Sequence, residues 1–212
     1  MKLKYTNVIW DWNGTLLDDV DWSFKNINTM LSRRGMRLLG DVLDYRSVFC
    51  FPIIEYYRNI GFDFSNEPFE VLAEEFVELY SVNNYGCCEL FPNTLTILDT
   101  LKNASVSQVV LSASSMDLLS SQMSELDIIG YFDEVLGLTD IYAASKIDIG
   151  LEYIKRMRIT NAVMIGDSKH DYEVAQALGV DCILISNGHQ GREALLSCGV
   201  PVLDDITDVI DV

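Results

Sequence analysis

The feature that most restricts the fold is a series of short runs rich in Val, Ile and Leu. They lie at Asn7–Trp12, Ser107–Ser112, Glu134–Gly137, Ala162–Ile165 and Cys182–Ile185, with a shorter one near Val202. Helical periodicity separates them, near Thr94–Lys102, Ser115–Leu126, Lys146–Met157, Lys169–Leu178 and Glu193–Cys198. The runs are apolar throughout rather than alternating, as strands buried on both faces must be. Strand–helix alternation of this kind predicts an α/β fold: a Rossmann-like parallel sheet with helices on both faces.

One region breaks the rhythm. From about Leu17 to Leu90 the pattern is helical and contains no convincing strand. "WSFKNINTMLSRRG" and "FPIIEYYRNIG" each end on a glycine suited to a helix C-terminus, Gly35 and Gly61. "NEPFEVLAEEFVELYSV" carries Pro68 at its first turn, where proline is tolerated. The chain re-enters the sheet pattern at Phe91-Pro92. A length of 212 residues suits one core domain with a modest insert. The expected division is a core of residues 1–16 and 91–212 with a helical insert of residues 17–90.

Hydrophobic residues make up 49% of the chain and charged ones 22%, values of a soluble globular protein. No apolar run is long enough for a transmembrane span, and "MKLKYTNVIW" lacks the features of a signal peptide. The five cysteines, Cys50, Cys87, Cys88, Cys182 and Cys198, show no zinc-ligand spacing. A reduced cytoplasmic location is expected. The net charge of −17 repels nucleic-acid phosphates, so neither a nucleic-acid nor a membrane partner is expected. Any anion site must be made locally positive by a metal, a lysine or helix N-termini.

Open parallel sheets bind ligands beyond the C-terminal ends of their strands. Polar residues stand at those ends here: Asp11, Ser112, Lys146 in "AASKIDIG", and Asp167 with Asp171 in "VMIGDSKHD". A lone Asp or Ser at such a place reads first as a helix N-cap, where both residue types are common. Together, in sheet order, they read as a site. Asp11, Asp167 and Asp171 would converge, and clustered carboxylates need a cation; oxygen-only ligands favour Mg²⁺. Asp11 is then placed to take a phosphoryl group. Lys146, the Ser112 hydroxyl and backbone N–H groups around Trp12, Asn13 and Ala113 would hold the phosphoryl oxygens.

"DWNGTLLD", "VVLSASS", "AASK" and "IGDSKHD" resemble, in order, the four motifs of the haloacid dehalogenase-like hydrolase superfamily. "FPNTLTIL" and "ALGVDCILISNGH" are similar to text that such proteins carry at the same places, and the insert resembles the C1 cap of the phosphatase branch. The resemblance implies a Mg²⁺-dependent, phosphoglycolate phosphatase-like hydrolase of small phosphorylated metabolites. It implies Asp11 as nucleophile, with Thr15, Ser112, Ala113 and Lys146 on the phosphate. The metal would be held by Asp11, Asp167, Asp171 and the backbone carbonyl of Asn13.

Asn13 departs from the pattern. The usual phosphatase carries an Asp there, which protonates the leaving oxygen and then deprotonates water. An amide does neither, and such assistance is worth about 10²–10⁴-fold. Acyl and aryl phosphates would suffer least, and Asn13→Asp is expected to speed the hydrolysis of alkyl phosphates. A water, or a carboxylate such as Asp18 or Asp19, would be a substitute, although the first reading of both residues is as caps of the first insert helix. Asn13 keeps open a phospho-ligand binding or regulatory protein. It counts against a phosphosugar mutase. A phosphonatase needs a cap lysine, and the only one near is Lys25. A metal-free dehalogenase would not carry "GDSKHD". Arg46 and Arg58 are insert cations suited either to substrate or to solvent. His170 reads as helix surface, and His189 as site edge or loop. Cys87-Cys88 reads as structural.

Overall fold

A computed structural model describes residues 4–82, 86–138 and 145–210. The chain runs β1 (Asn7–Trp10), β2 (Leu17–Asp18), then helices α1 (Val20–Arg33), α2 (Val42–Val48), α3 (Ile53–Asn59) and α4 (Phe69–Val82). It continues through β3 (Glu89–Leu90), α5 (Thr94–Asn103), β4 (Ser107–Ser115), α6 (Met116–Glu125) and β5 (Glu134–Leu138). The last part is α7 (Lys146–Met157), β6 (Ala162–Gly166), α8 (Lys169–Leu178), β7 (Asp181–Ile185), α9 (Arg192–Leu196) and β8 (Val202–Leu203). Two of the four residues of "AASK", the alanines, lie outside the described residues. No helix among the described residues is long and apolar enough to cross a membrane.

Six strands form one parallel sheet in the order β5-β4-β1-β6-β7-β8. The period-2 geometry of a strand explains why the runs had to be apolar throughout. Val8 and Trp10 of β1 enter one core layer with Ile97 and Leu98 of α5 and Leu119 of α6. Ile9, between them, enters the opposite layer with Tyr153 of α7 and Val174 of α8. β1 lies at the centre, flanked by β4 and β6, and its end delivers Asp11 to the point where the strand order reverses.

Strand ends differ from expectation. β1 stops at Trp10, because the Gly14 turn draws the chain out of the sheet: Leu16 and Leu17 N–H both return to the Trp12 carbonyl. β4 runs on to Ser115 through a register shift between Leu111 and Ser115. The stretch read as helical throughout begins and ends in strand: β2 and β3 pair antiparallel, Leu17 with Leu90 and Asp18 with Glu89. Two-residue strands are too short to show periodicity.

Helices α1 to α4 build a third apolar cluster around Ile27, Met30, Leu31, Tyr45, Tyr56, Tyr57 and Leu72. α1 and α3 end where the glycines placed them, with Gly35 at φ +63° and Gly61 at φ +103°.

Candidate active site

Asp11, Asp167 and Asp171 come together at the C-terminal ends of β1 and β6, with one carboxylate oxygen from each within 4.8 Å of the others. All three are buried. Asp11 N–H donates to Ile165 O at 2.8 Å, so its backbone extends the sheet contact and fixes where its side chain starts. Lys146, at the first turn of α7, reaches Asp11 Oδ1 at 2.5 Å and Asp171 Oδ1 at 2.7 Å. Thr15 Oγ1 donates to the other Asp11 oxygen at 3.2 Å.

Asp171 unites two of the readings open to it. It is the N3 residue of a capping box on α8, with Oδ2 accepting from the Ser168 hydroxyl at 2.6 Å, while Oδ1 holds Lys146. Asp167 is different. His189 N–H donates to it at 2.5 Å, and no cationic side chain among the described residues forms an ion pair with it. Close backbone approach shapes its pocket. Gly14 has φ +73°, and a Cβ there would stand 2.3 Å from Asp167 Oδ2. A Cβ on Gly188 would stand 2.1 Å from the same oxygen.

The electrostatics follow. Burial, then the charge of Asp171, raises the Asp11 pKa against the opposing pull of Lys146. Burial, then Asp171 and Asp11, raises that of Asp167, with His189 opposing. Burial also works against ionised Asp171, but the Lys146 ammonium outweighs it and holds Asp171 below its ordinary range. Lys146 is itself held charged: burial lowers its pKa, and Asp11 and Asp171 more than reverse that. Three carboxylates and one ammonium leave the cluster short of positive charge, and an all-oxygen donor set fits a hard divalent cation.

The other expected residues flank this centre. Ser112 is buried, with its oxygen accepting from Ser114 N–H at 3.0 Å. Ala113 is exposed beside it. Asn13 is half-buried; its Oδ1 accepts from the Ser114 hydroxyl at 2.7 Å.

Several residues have roles that the sequence left open or hid. Asp19 precedes α1 but makes no side-chain cap bond. Its carboxylate instead turns inward, only 1% exposed, onto Asn13, Gly14, Tyr80 and His189. His189 is buried, with Nε2 3.0 Å from Asp19 Oδ1 and Nδ1 hydrogen-bonded to the Tyr45 hydroxyl at 2.8 Å. Burial lowers the His189 pKa, yet Asp19, joined by the charges of Asp167 and Asp11, outweighs it and pushes it up to about 9. Asp19 is held correspondingly low, because His189 and the Tyr80 and Asn13 donors overcome its burial. Beside His189, Gln190 accepts from Lys169 N–H at 2.7 Å and donates to Phe49 O at 3.2 Å.

Arg46 is half-buried, and its guanidinium donates to the carbonyls of Gly188, at 2.7 Å, and Asn187. His170 stacks on Phe51 of the insert, with ring centroids 4.7 Å apart. Arg58 is a surface residue paired with Glu55. Asp18 lies exposed in β2, and Cys87 is exposed beside buried Cys88. A buried histidine between insert and sheet has no sequence signal of its own. The adjacency of Asp19 to Asp18 hid which of them turns inward.

Fold and site together define a doubly wound α/β protein with an oxygen-rich, cation-ready centre at its topological switch point. A sequence model described as haloacid dehalogenase-like hydrolase matches residues 8–185, and the chain belongs to that family. It is 22% identical over 222 residues to a phosphoglycolate phosphatase of Pseudomonas savastanoi pv. phaseolicola, covering 96% of this chain and 78% of that one. Among solved structures, a predicted phosphatase from Clostridium acetobutylicum superposes with a TM-score of 0.82 at 18% identity, covering 98% and 97% of the two chains. The Mycobacterium tuberculosis Protein Tyrosine Kinase A superposes with a TM-score of 0.81 at 23% identity, covering 98% and 97%. Similarity at this level establishes a shared fold.

Proposed function

We propose that the protein is a Mg²⁺-dependent phosphoric monoester hydrolase that acts on a small phosphorylated metabolite through an aspartyl-phosphate on Asp11. The phosphatase class is shared with relatives named phosphoglycolate phosphatase. The observation that carries the reading is the charge shortfall of the buried cluster: Asp11, Asp167 and Asp171 face a single ammonium, Lys146.

In this reading Asp11, Asp167, Asp171 and the Asn13 carbonyl hold the metal, and Asp171 also secures Lys146. Bound Mg²⁺ would neutralise the cluster and the incoming phosphate. Lys146 and Thr15 hold the two oxygens of Asp11, so the carboxylate is oriented before substrate arrives. An Asp11 oxygen attacks phosphorus, and the bond to the leaving oxygen breaks with its electron pair. Water then attacks the same phosphorus, the bond to Asp11 breaks, and inorganic phosphate leaves with the carboxylate restored. Ser112, Ala113, Thr15 and Lys146 bind the phosphoryl oxygens, and residues 17–90 act as the cap over a core of residues 1–16 and 91–212. The five free cysteines suit a cytoplasmic setting.

Asn13 supplies no proton. Both amide hydrogens are committed, to Asp19 and to Tyr80. Acyl and aryl phosphates, whose leaving groups need little protonation, are therefore the preferred substrates. The test is phosphate release from a panel of aryl, acyl and alkyl phosphates with Mg²⁺, on the wild type and on Asp11→Asn. The expected result is aryl and acyl turnover that falls by at least about 10³-fold in the variant. Wild-type rates in Asp11→Asn would refute the nucleophile. Tight phosphate binding with no turnover of any substrate would favour a phospho-ligand binding protein instead.

A further inference from the structure

We infer that Asp19 is the positioning residue of the nucleophile loop, and that Asn13 and Asp19 form an amide–carboxylate pair whose members can be exchanged but not made alike.

Asp19 Oδ1 accepts from Gly14 N–H at 3.0 Å and lies 3.0 Å from His189 Nε2. Its Oδ2 accepts from Asn13 Nδ2 at 2.9 Å and from the Tyr80 hydroxyl at 2.7 Å. A carboxylate oxygen can only accept, so it dictates which end of the Asn13 amide faces it. The second amide hydrogen goes to Tyr80 Oη at 3.0 Å, and Asn13 Oδ1 receives the Ser114 hydroxyl. Every polar atom of the two side chains is thus used within one network. Its donors come from the nucleophile loop, α4, β4 and the loop after β7. The amide at position 13 is a structural requirement of a carboxylate at position 19.

Two routes lead from Asp19 to Asp167. One runs through Gly14, which lies so close to Asp167 that a Cβ there would stand 2.3 Å from Oδ2. The other runs through His189, whose N–H donates to that same oxygen. Asp19 therefore sets the placement of both the turn that carries the Asn13 carbonyl and the Asp167 carboxylate. Its bearing on turnover rests on the hydrolase reading above; its bearing on structure does not.

The arrangement alters the expectation for Asn13→Asp. That single change puts a second carboxylate about 2.9 Å from Asp19 Oδ2 and deletes both amide donors. Like charges at that distance in a buried setting repel strongly. Asp19→Asn alone sets two amides face to face, while its remaining oxygen can still accept from Gly14 N–H and His189 Nε2. Exchanging both restores one acceptor and one donor across the contact. An Asp at position 13 would accept from the new amide, from Tyr80 and from Ser114. An Asn at position 19 would still accept from Gly14 N–H.

The experiment compares Asn13→Asp, Asp19→Asn and the double exchange by thermal unfolding at pH 7 without metal, and by turnover of an aryl and an alkyl phosphate with Mg²⁺. Each single variant is expected to lose about 4–8 °C in Tm, and the exchange to return within about 2 °C of wild type. If neither single variant folds, folding of the exchange supports the pair and its failure overturns it. An Asn13→Asp variant as stable as wild type overturns the inference, as does an exchange whose loss equals the sum of the two singles. In turnover, Asn13→Asp alone should not gain on the alkyl phosphate, while the exchange should gain about 10-fold or more. Absence of turnover in all four proteins, wild type included, would strike the hydrolase reading and leave the stability result to judge the pair.

Discussion

Among the described residues, the charge cluster of the insert and the one at the strand ends are built on different terms. In the insert, Arg34 grips both oxygens of Glu67 at 2.7 Å and reaches Glu75 at 2.5 Å, while Arg33 reaches Glu75 at 2.6 Å. Two cations meet two carboxylates at the partly exposed junction of α1 and α4, and the charges cancel locally. At the strand ends, three buried carboxylates meet one ammonium. The insert cluster is complete as it stands and ties helices together. The strand-end cluster is short of positive charge, and a fold retains such an imbalance where a ligand is to complete it.

The two clusters also have opposite pH signs. Arg34 holds Glu67 below its ordinary range, and Arg34 and Arg33 together outweigh the burial of Glu75 to do the same there. Their stabilisation is present above the ordinary Glu value of 4.5 and is lost as pH falls through the lower folded values. Asp11 and Asp167 are raised, so their contribution is present below the ordinary Asp value of 3.8 and is lost as pH rises through the raised values.

The largest effect should come from Lys146→Met. It leaves Asp11 and Asp171 buried without their cation, and thermal or urea unfolding of the metal-free protein should show a loss of about 3–5 kcal/mol. A loss below 1 kcal/mol would mean that the cluster is not short of positive charge. Next, Mg²⁺ at about 100 times its dissociation constant should stabilise the wild type by about 2.7 kcal/mol. It should also flatten the decline of stability as pH rises from about 4 to 8, and calorimetry of metal-free Asp167→Asn should show much of the same flattening. A Tm indifferent to Mg²⁺ would break the comparison at its centre. Arg34→Ala should cost about 1 kcal/mol at pH 7, with the cost shrinking as the solution is acidified below the ordinary Glu value of 4.5. Arg58→Ala removes an exposed pair with Glu55 and should stay within about 0.5 kcal/mol; it calibrates the series.

The sheet was legible because its strands are buried on both faces, which forces continuous apolar runs at Val8–Trp10, Val109–Leu111 and Val163–Ile165. Asp11, Lys146, Asp167 and Asp171 were legible for a related reason: each follows such a run or starts the helix beyond it, so strand order alone brings them to one edge. Gly35 and Gly61 marked helix ends because a left-handed residue there is cheapest as glycine. Arg46 was beyond sequence reasoning. A guanidinium paired to backbone carbonyls leaves no complementary residue to find, and its partners Asn187 and Gly188 lie far along the chain. His189 and Tyr80 were hidden likewise, since no local pattern ties either to position 19.

The sequence by itself determined the layered α/β architecture, the helical interruption after the first strand, and which acidic and basic side chains meet at the strand ends. Those follow from periodicity and chain order, which are properties of the backbone and of burial. Only the tertiary structure decided that Asp19 turns inward, that His189 and Tyr80 join it, and that the amide of Asn13 is part of their network. Contacts between residues 61 to 170 positions apart depend on how the insert docks against the sheet, and such docking leaves no period in the chain.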